Sequence, residues 1–145
     1  MAEDLVVIDV AERVATLTLN RPAALNALSE GMLAALADRL DAVAGDGRVK
    51  VVVIRGAGRA FCAGHDLREM QAARQSADGG AAAFKALFDA CAGVMQRIPA
   101  LPQPVIAQVH GIATAAGCQL VASCDLAVAA EDARFGVNGV NIGLF

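Results

Sequence analysis

A run of small residues between a predicted strand and a predicted helix is the part of this chain best suited to chemistry. The run occupies residues 113–117 and follows the apolar segment 104–109, which is typical of a buried strand. A helix-competent segment then continues to Ala122. A strand, a tight turn and a helix start bring unpaired backbone N–H groups together at the positive end of the helix dipole. This arrangement predicts a site for an anion, or for an oxygen that becomes an anion during a reaction.

The loop at residues 61–67, FCAGHDL, is a second candidate for a binding site. The small residues Ala63 and Gly64 would let a ligand approach the backbone, and the N–H of His65 could point into a pocket. The alternative is a surface turn in which Asp66 caps the following helix. Composition alone favours that alternative.

A third motif lies at residues 55–61, where the spacing superficially resembles the GxGxxG pattern of dinucleotide-binding proteins. The third glycine position carries Phe61, whose bulk would block close helix–strand packing, and no helix clearly begins there. We therefore interpret this segment as a strand-to-loop turn and keep dinucleotide binding as the weakest alternative.

The elements that must position these loops alternate between strands and helices, which predicts an α/β fold. A hairpin is expected over 5–10 and 14–19, and Ser29 is a plausible N-cap for a helix that 45–47 would end. Residues 51–54 and 126–129 are predicted to form strands, and the strand at 51–54 is predicted to be fully buried. The apolar positions of the two predicted amphipathic helices are Met32, Leu33, Leu36, Leu40 and Val43, then Phe84, Leu87, Phe88, Cys91, Met95 and Ile98, with Pro99 and Pro102 closing the second helix.

Composition narrows the class of protein. The chain has 145 residues, of which 57% are apolar and 19% charged, and this favours a folded core over disorder. A net charge of −3 and the absence of Trp and Tyr argue against a nucleic-acid or anionic-membrane surface. No leader or bilayer-spanning run is evident and the four cysteines lack CxxC spacing, which predicts a cytoplasmic protein with reduced thiols. The apolar ending at 140–145 suggests the front part of a longer protein.

Together the motifs resemble the crotonase superfamily, also called the enoyl-CoA hydratase/isomerase family. The matching segments are NRP at 20–22, NAL at 26–28, FCAGHDL at 61–67, PVIA at 104–107, HG at 110–111, AAGC at 115–118, CDL at 124–126 and FG at 135–136. They cover nearly the whole chain in the family's order. Within the family the sequence is most similar to the enoyl-CoA hydratase domain-containing branch.

The resemblance implies a fold and a ligand. The fold would be a spiral of repeated ββα units, with residues 1–145 forming one incomplete acyl-CoA-binding core, no second domain, and the family's C-terminal helical region absent. It also implies homotrimers or hexamers, a role in fatty acid metabolism, and no metal or separate cofactor, since coenzyme A is part of the substrate. Nucleic acid and membrane are not expected partners.

The resemblance also implies site residues. The thioester oxygen would sit between the backbone N–H groups of His65 and Ala116. The residues expected to line the coenzyme A path are Ala23, Ala24, Leu25, Ala63, His65, Asp66, Leu67, Arg68 and Ala116.

The family's two catalytic glutamates fall on Gln119 and Gly139, and neither residue can transfer a proton. The sequence therefore predicts a site that stabilises an enolate without the usual hydration pair. Isomerisation, decarboxylation, thioester hydrolysis and silent acyl-CoA binding all remain open.

Three further side chains have alternative roles. The imidazole of His65 either titrates near neutral pH or only packs against coenzyme A. Cys118 would be a nucleophile only if the helix start lowered its pKa, and no partner lies nearby in sequence. His110 is interpreted as structural, at the end of a strand.

Overall fold

The structure, a computed structural model, describes residues 3–143 as two sheets packed with helices. The strands are β1 (Val6–Ala11), β2 (Val14–Leu19), β3 (Val51–Gly56), β4 (Val105–Val109), β5 (Ile112–Thr114), β6 (Leu126–Ala129) and β7 (Arg134–Gly136). The α-helices are α1 (Glu30–Ala44), α2 (Leu67–Ala73), α3 (Ala81–Ala100) and α4 (Ala116–Ser123). Short 3-10 helices span Pro22–Ala24 and Gly139–Ile142. The α/β class predicted from the sequence is confirmed.

The main sheet has the order β1-β2-β3-β4-β6, and only its first pair is antiparallel. The second sheet pairs β5 with β7 in parallel. Two isolated parallel bridges lie beside it, joining Leu28 to His65 and Cys62 to Ala113. Strand pairs followed by helices recur along the chain, as β1-β2-α1 and β4-β5-α4, which agrees with the spiral of ββα units that the resemblance implies.

The core lies where α1 and α3 pack together and α1 covers the main sheet. All five predicted apolar positions of α1 are buried. The helix begins where the Ser29 hydroxyl accepts a hydrogen bond from the N–H of Met32 at 3.1 Å, as predicted, and it ends at Gly45. In α3, Leu87, Cys91, Met95 and Ile98 are buried as expected, Phe84 is half-buried, and Phe88 is exposed.

Two details of the sequence prediction are wrong. The β3 strand is not fully buried: Val52 and Ile54 are inaccessible to solvent, whereas Val51 and Val53 are partly exposed, because described residues pack closely against only one of its faces. Helix α3 is not closed by Pro99, which it includes one residue before its end. Proline lacks an N–H, so the helix gives up one backbone hydrogen bond at this position. Pro102 forces the end instead, since Leu101 before it is extended with φ −62° and ψ 140°.

None of the helices within residues 3–143 is both long and apolar enough to cross a membrane.

Candidate active site

The N–H group of His65 points away from its neighbouring strand. In the parallel bridge between Leu28 and His65, the N–H of Leu28 donates to the carbonyl of Gly64 at 2.7 Å, and the N–H of Asp66 donates to the carbonyl of Leu28 at 3.3 Å. In this pattern the flanking peptides make the bonds, so the N–H of His65 itself faces the opposite side. Within residues 3–143 it has no hydrogen-bond acceptor.

The N–H group of Ala116 is the first of α4. The preceding residue, Ala115, supplies no side-chain cap. The first intrahelical bond of α4 runs from the N–H of Gln119 to the carbonyl of Ala115 at 3.1 Å. The N–H of Ala116 therefore has no acceptor among the described residues, and it lies at the positive end of the helix.

The two donors lie close together because glycine lets their segments touch. Gly64 has φ +97°, and a Cβ built on it would stand 3.4 Å from the nitrogen of Ala116 and 3.0 Å from the Cβ of Ala115. Gly117 is equally confined, since a Cβ there would overlap the carbonyl of Cys62. The structure thus brings His65 and Ala116 together, as the sequence analysis expected for a pair of oxyanion donors.

The strand β5 fixes the relative positions of these segments. The N–H of Thr114 donates to the carbonyl of Cys62 at 3.0 Å, and the Thr114 hydroxyl donates to the carbonyl of Ala63 at 3.2 Å. Cys62 is buried, which raises the pKa of its thiol to about 12, so it is an inert part of the wall.

Asn26 is a structural residue beside the site, and its place in a sequence motif did not indicate this role. Its side chain is fully buried, and its amide nitrogen donates to the carbonyls of Ala57 and Ala60, each at 2.9 Å. Its amide oxygen accepts from the N–H of Arg21 at 2.9 Å. One side chain thereby joins the segment after β2 to the loop after β3. Asparagine is a good residue here because it tolerates the left-handed backbone, φ 54°, better than most.

The segment expected to contact coenzyme A lies beside this junction. Ala23 and Ala24 belong to the 3-10 helix, and Leu25 follows it with φ 52°. The carbonyl of Leu25 accepts a hydrogen bond from the N–H of Ala63 at 3.0 Å, so the two predicted lining segments are held side by side.

Asp66 has the capping role that composition favoured. Its carboxylate is buried and accepts from the N–H groups of Arg68 at 2.9 Å and Glu69 at 3.4 Å, and from the Arg21 guanidinium at 2.6 Å. Burial acts to raise the pKa of this carboxyl, but the bonds from Arg21, Arg68 and Glu69 outweigh it and hold the pKa below its usual value. Its carboxylate oxygens are thus engaged within the protein. Contact with coenzyme A stays a prediction for Asp66 and for the exposed Leu67 and Arg68 beside it.

The imidazole of His65 is half-buried and meets the ring of Phe88 edge-on, with centroids 5.4 Å apart and planes at 81°. Its Nδ1 is buried without a partner among the described residues. Burial lowers the pKa of this ring, so the neutral form dominates at neutral pH. Its contact with Phe88 and its lowered pKa disfavour the titrating role, and packing of this ring against coenzyme A stays a prediction.

The remaining predicted residues lie on or near the same segments. Gln119 is exposed on the first turn of α4, and the partly exposed Gly139 opens the last 3-10 helix. Cys118 is partly exposed on α4. The Nε2 of His110 lies 2.6 Å from the carbonyl of Gly58, which agrees with a structural role at the end of β4.

The dinucleotide-binding alternative finds no support in the structure. After β3 no α-helix begins until Leu67, and the fully buried Phe61 occupies the third glycine position, which contradicts a dinucleotide fingerprint. Within residues 3–143 no three His, Cys, Asp or Glu side chains gather as metal ligands.

A groove of about 440 Å³ lies between α1 and α3, and none of its lining residues belongs to the two donor segments.

The family described as Enoyl-CoA hydratase/isomerase matches residues 9–145. The chain belongs to this family. A relative in Danio rerio, named "Enoyl-CoA hydratase domain-containing protein 3, mitochondrial", is 46% identical over 127 residues, which are 88% of this chain and 42% of that protein. The 2,3-dehydroadipyl-CoA hydratase of Escherichia coli is 42% identical over 133 residues, 92% of this chain and 49% of that one. The predicted similarity to the enoyl-CoA hydratase domain-containing branch is confirmed.

Solved structures of the family share this fold. The crystal structure of an enoyl-CoA hydratase from Mycobacterium smegmatis superposes with a TM-score of 0.91 at 58% identity, over 99% of this chain and 54% of that chain. The chain thus spans about half the length of the relatives that it matches.

The comparison corrects one prediction about location. The sequence features predicted a cytoplasmic protein, but the Danio rerio and Homo sapiens relatives, at 46% and 43% identity, are named as mitochondrial.

Proposed function

We propose that this protein is an acyl-CoA-processing enzyme that polarises the thioester carbonyl between the N–H groups of His65 and Ala116. The observation that carries the proposal is the pair itself: two backbone donors without acceptors among residues 3–143, on segments that touch at Gly64. A thioester becomes an enolate when charge moves onto its carbonyl oxygen, and two fixed donors stabilise that charge without reorganising. The proposal needs no metal and no separate cofactor.

The surroundings strengthen the two donors. The wall beneath them contains the buried Cys62 and Ala113, so the local dielectric constant is lower than in water and each hydrogen bond to a developing charge is stronger. The dipole of α4 adds positive potential at Ala116. Loss of one such donor typically costs about 3 kcal/mol of transition-state stabilisation, or a rate factor of about 10² to 10³.

The acyl-CoA would enter along the side-by-side segments at 23–25 and 63–68. Their hydrogen bond between Ala63 and Leu25 fixes the spacing, and the start of α2 is exposed beside them. The acyl part would then reach α4, where Gln119 is available as a hydrogen-bonding group. Gln119 can orient a substrate or water but cannot take up its proton.

The reaction that this chain supports best is therefore one that needs enolate stabilisation more than a carboxylate pair, such as isomerisation, decarboxylation or thioester hydrolysis. The word hydratase in the names of the relatives refers to those proteins and does not by itself assign hydration to this chain. Proton transfer would then fall to the substrate, to water, or to side chains other than the family's two glutamates. Assembly into trimers or hexamers remains a prediction.

Calorimetric titration with butyryl-CoA and crotonyl-CoA tests the proposal. We expect binding, and we expect Ala116→Pro, which removes one donor, to lower turnover by about 10² to 10³ while the affinity changes much less. Proline is well tolerated at the first position of a helix, and a melting curve checks the fold of the variant. His65→Ala keeps the backbone donor and is the matched control, with near-normal turnover expected. Absence of binding at millimolar acyl-CoA would refute the proposal.

A catalytically silent acyl-CoA-binding protein is the second candidate. The exposed, non-ionisable Gln119 and the side-chain-free Gly139 at the two glutamate positions favour it. This candidate predicts acyl-CoA binding without conversion of any acyl-CoA tested. Turnover of one acyl-CoA that Ala116→Pro abolishes would rule it out.

A further inference from the structure

Ala115 has a backbone conformation that residues other than glycine rarely adopt. Its angles are φ 52° and ψ −124°, far from the ordinary left-handed helical region where Leu25 lies at φ 52° and ψ 35°. Strain of this kind persists only where the surrounding structure imposes it, and it is concentrated at functional sites. Ala115 directly precedes the proposed donor Ala116.

Three contacts hold Ala115 in this conformation. Its N–H donates to the carbonyl of Gly136 in β7 at 2.8 Å, and its carbonyl accepts from the N–H of Gln119 at 3.1 Å. Its methyl group faces Gly64, where a Cβ would come within 3.0 Å of it. The residue is therefore fixed by β7 on one side, by α4 on another and by the His65 loop on a third.

The conformation of Ala115 has a direct geometric consequence for its neighbour. The N–H of Ala116 lies in the peptide plane that joins the two residues, and ψ of Ala115 sets the rotation of that plane. A hydrogen bond weakens steeply as its donor angle departs from linearity. Small changes in ψ at Ala115 therefore change how well the N–H of Ala116 points at an oxygen held between it and His65.

We propose that Ala115 is a positioning residue: its constrained backbone, anchored to β7 through the Gly136 carbonyl, aims the N–H of Ala116 at the thioester oxygen. The inference rests on the proposed function. The methyl group of Ala115 restricts φ and ψ where glycine would leave them free, and the bonds to Gly136 and Gln119 select the one rotation that serves the site. Strand β7, which carries no proposed site residue, becomes a support for the oxyanion donor.

The test compares Ala115→Gly with the unmodified chain by infrared difference spectroscopy of bound butyryl-CoA, carrying ¹³C at the thioester carbonyl. This saturated ligand reports polarisation of the carbonyl without turnover. Glycine relieves the strain but loosens the peptide plane. We expect a melting temperature that is not lowered, a Kd within about threefold of the original, and a carbonyl red shift reduced by about half with a broader band.

Glu12→Gly is the matched control. Glu12 also has a positive φ, 50°, but lies in the exposed turn between β1 and β2, remote in sequence from both donor segments. We expect this variant to keep the full red shift. A full, narrow red shift in Ala115→Gly, or a lowered melting temperature, would overturn the positioning role while leaving the proposed function intact. An unmodified chain that binds butyryl-CoA without a red shift, or does not bind it, would overturn the proposed function and this inference with it.

Discussion

Replacing Asn26 by alanine should destabilise the protein by about 4 kcal/mol. The change removes three hydrogen bonds, to the carbonyls of Ala57 and Ala60 and from the N–H of Arg21, each worth about 1 kcal/mol net. Alanine also tolerates the left-handed backbone at φ 54° less well than asparagine, which adds about 1 kcal/mol. A loss of this size is a large fraction of the 5–15 kcal/mol that typically stabilises a domain.

Urea denaturation followed by circular dichroism measures the effect. With an m-value of about 2 kcal/mol/M, a loss of about 4 kcal/mol moves the midpoint down by about 2 M. The matched control is Asn20→Ala, because the Asn20 amide makes a single exposed bond to the carbonyl of Asp4 at 3.1 Å. That variant should lose less than about 1 kcal/mol. A loss below about 1 kcal/mol for Asn26→Ala as well would refute the role of Asn26 as the junction between the two loops.

Three further predictions follow from the structure. The pKa of Asp66 is lower in the folded protein than in the unfolded chain, so the ionised carboxylate stabilises the fold fully above the unfolded pKa near 3.8, and this stabilisation is lost as the pH falls. Asp66→Asn should therefore flatten the dependence of the unfolding free energy on pH below that value. An unchanged slope in acid titrations of the variant would contradict this prediction. Gln119→Glu should raise crotonyl-CoA hydration by about tenfold or more, whereas the same change at the exposed Gln108 of β4 should not. Equal rates for the two variants in a spectrophotometric assay would count against the position of residue 119. Val128 is 64% exposed on the edge strand β6, where an apolar side chain favours pairing with another chain. Val128→Lys should therefore reduce self-association measured by sedimentation velocity. An unchanged distribution of sedimentation coefficients would exclude this edge as the cause of self-association.

Local patterns were sufficient to predict most of the fold. The alternation in 14–19 predicts β2, and the spacing from Met32 to Val43 predicts α1 together with its cap at Ser29, because these signals depend on neighbours within one or two turns. The three-residue strands β5 and β7 were not predicted. They are too short to show alternation. They exist because they pair with each other and because β5 also pairs with the segment at Cys62.

In the candidate site, too, features that depend on local motifs could be predicted and features that depend on distant contacts could not. The close approach of the His65 and Ala116 segments could be predicted, because their motifs carry a family resemblance and their glycines mark close approach. The role of Asn26 could not, since the carbonyls it binds lie 31 and 34 residues further along the chain. No local property of a buried asparagine reveals which loops it joins.

Ala115 shows why residue type alone is a poor guide to such a site. An alanine in a small-residue run predicts an ordinary helix start, and nothing in its side chain signals a positive φ. The conformation arises only because the carbonyl of Gly136 reaches its N–H while Gly64 leaves room for its methyl group. The strain thus belongs to the packing of three segments, and the direction of the Ala116 N–H depends on all three. A substitution in β7 that displaces Gly136 should therefore weaken carbonyl polarisation although β7 carries neither donor.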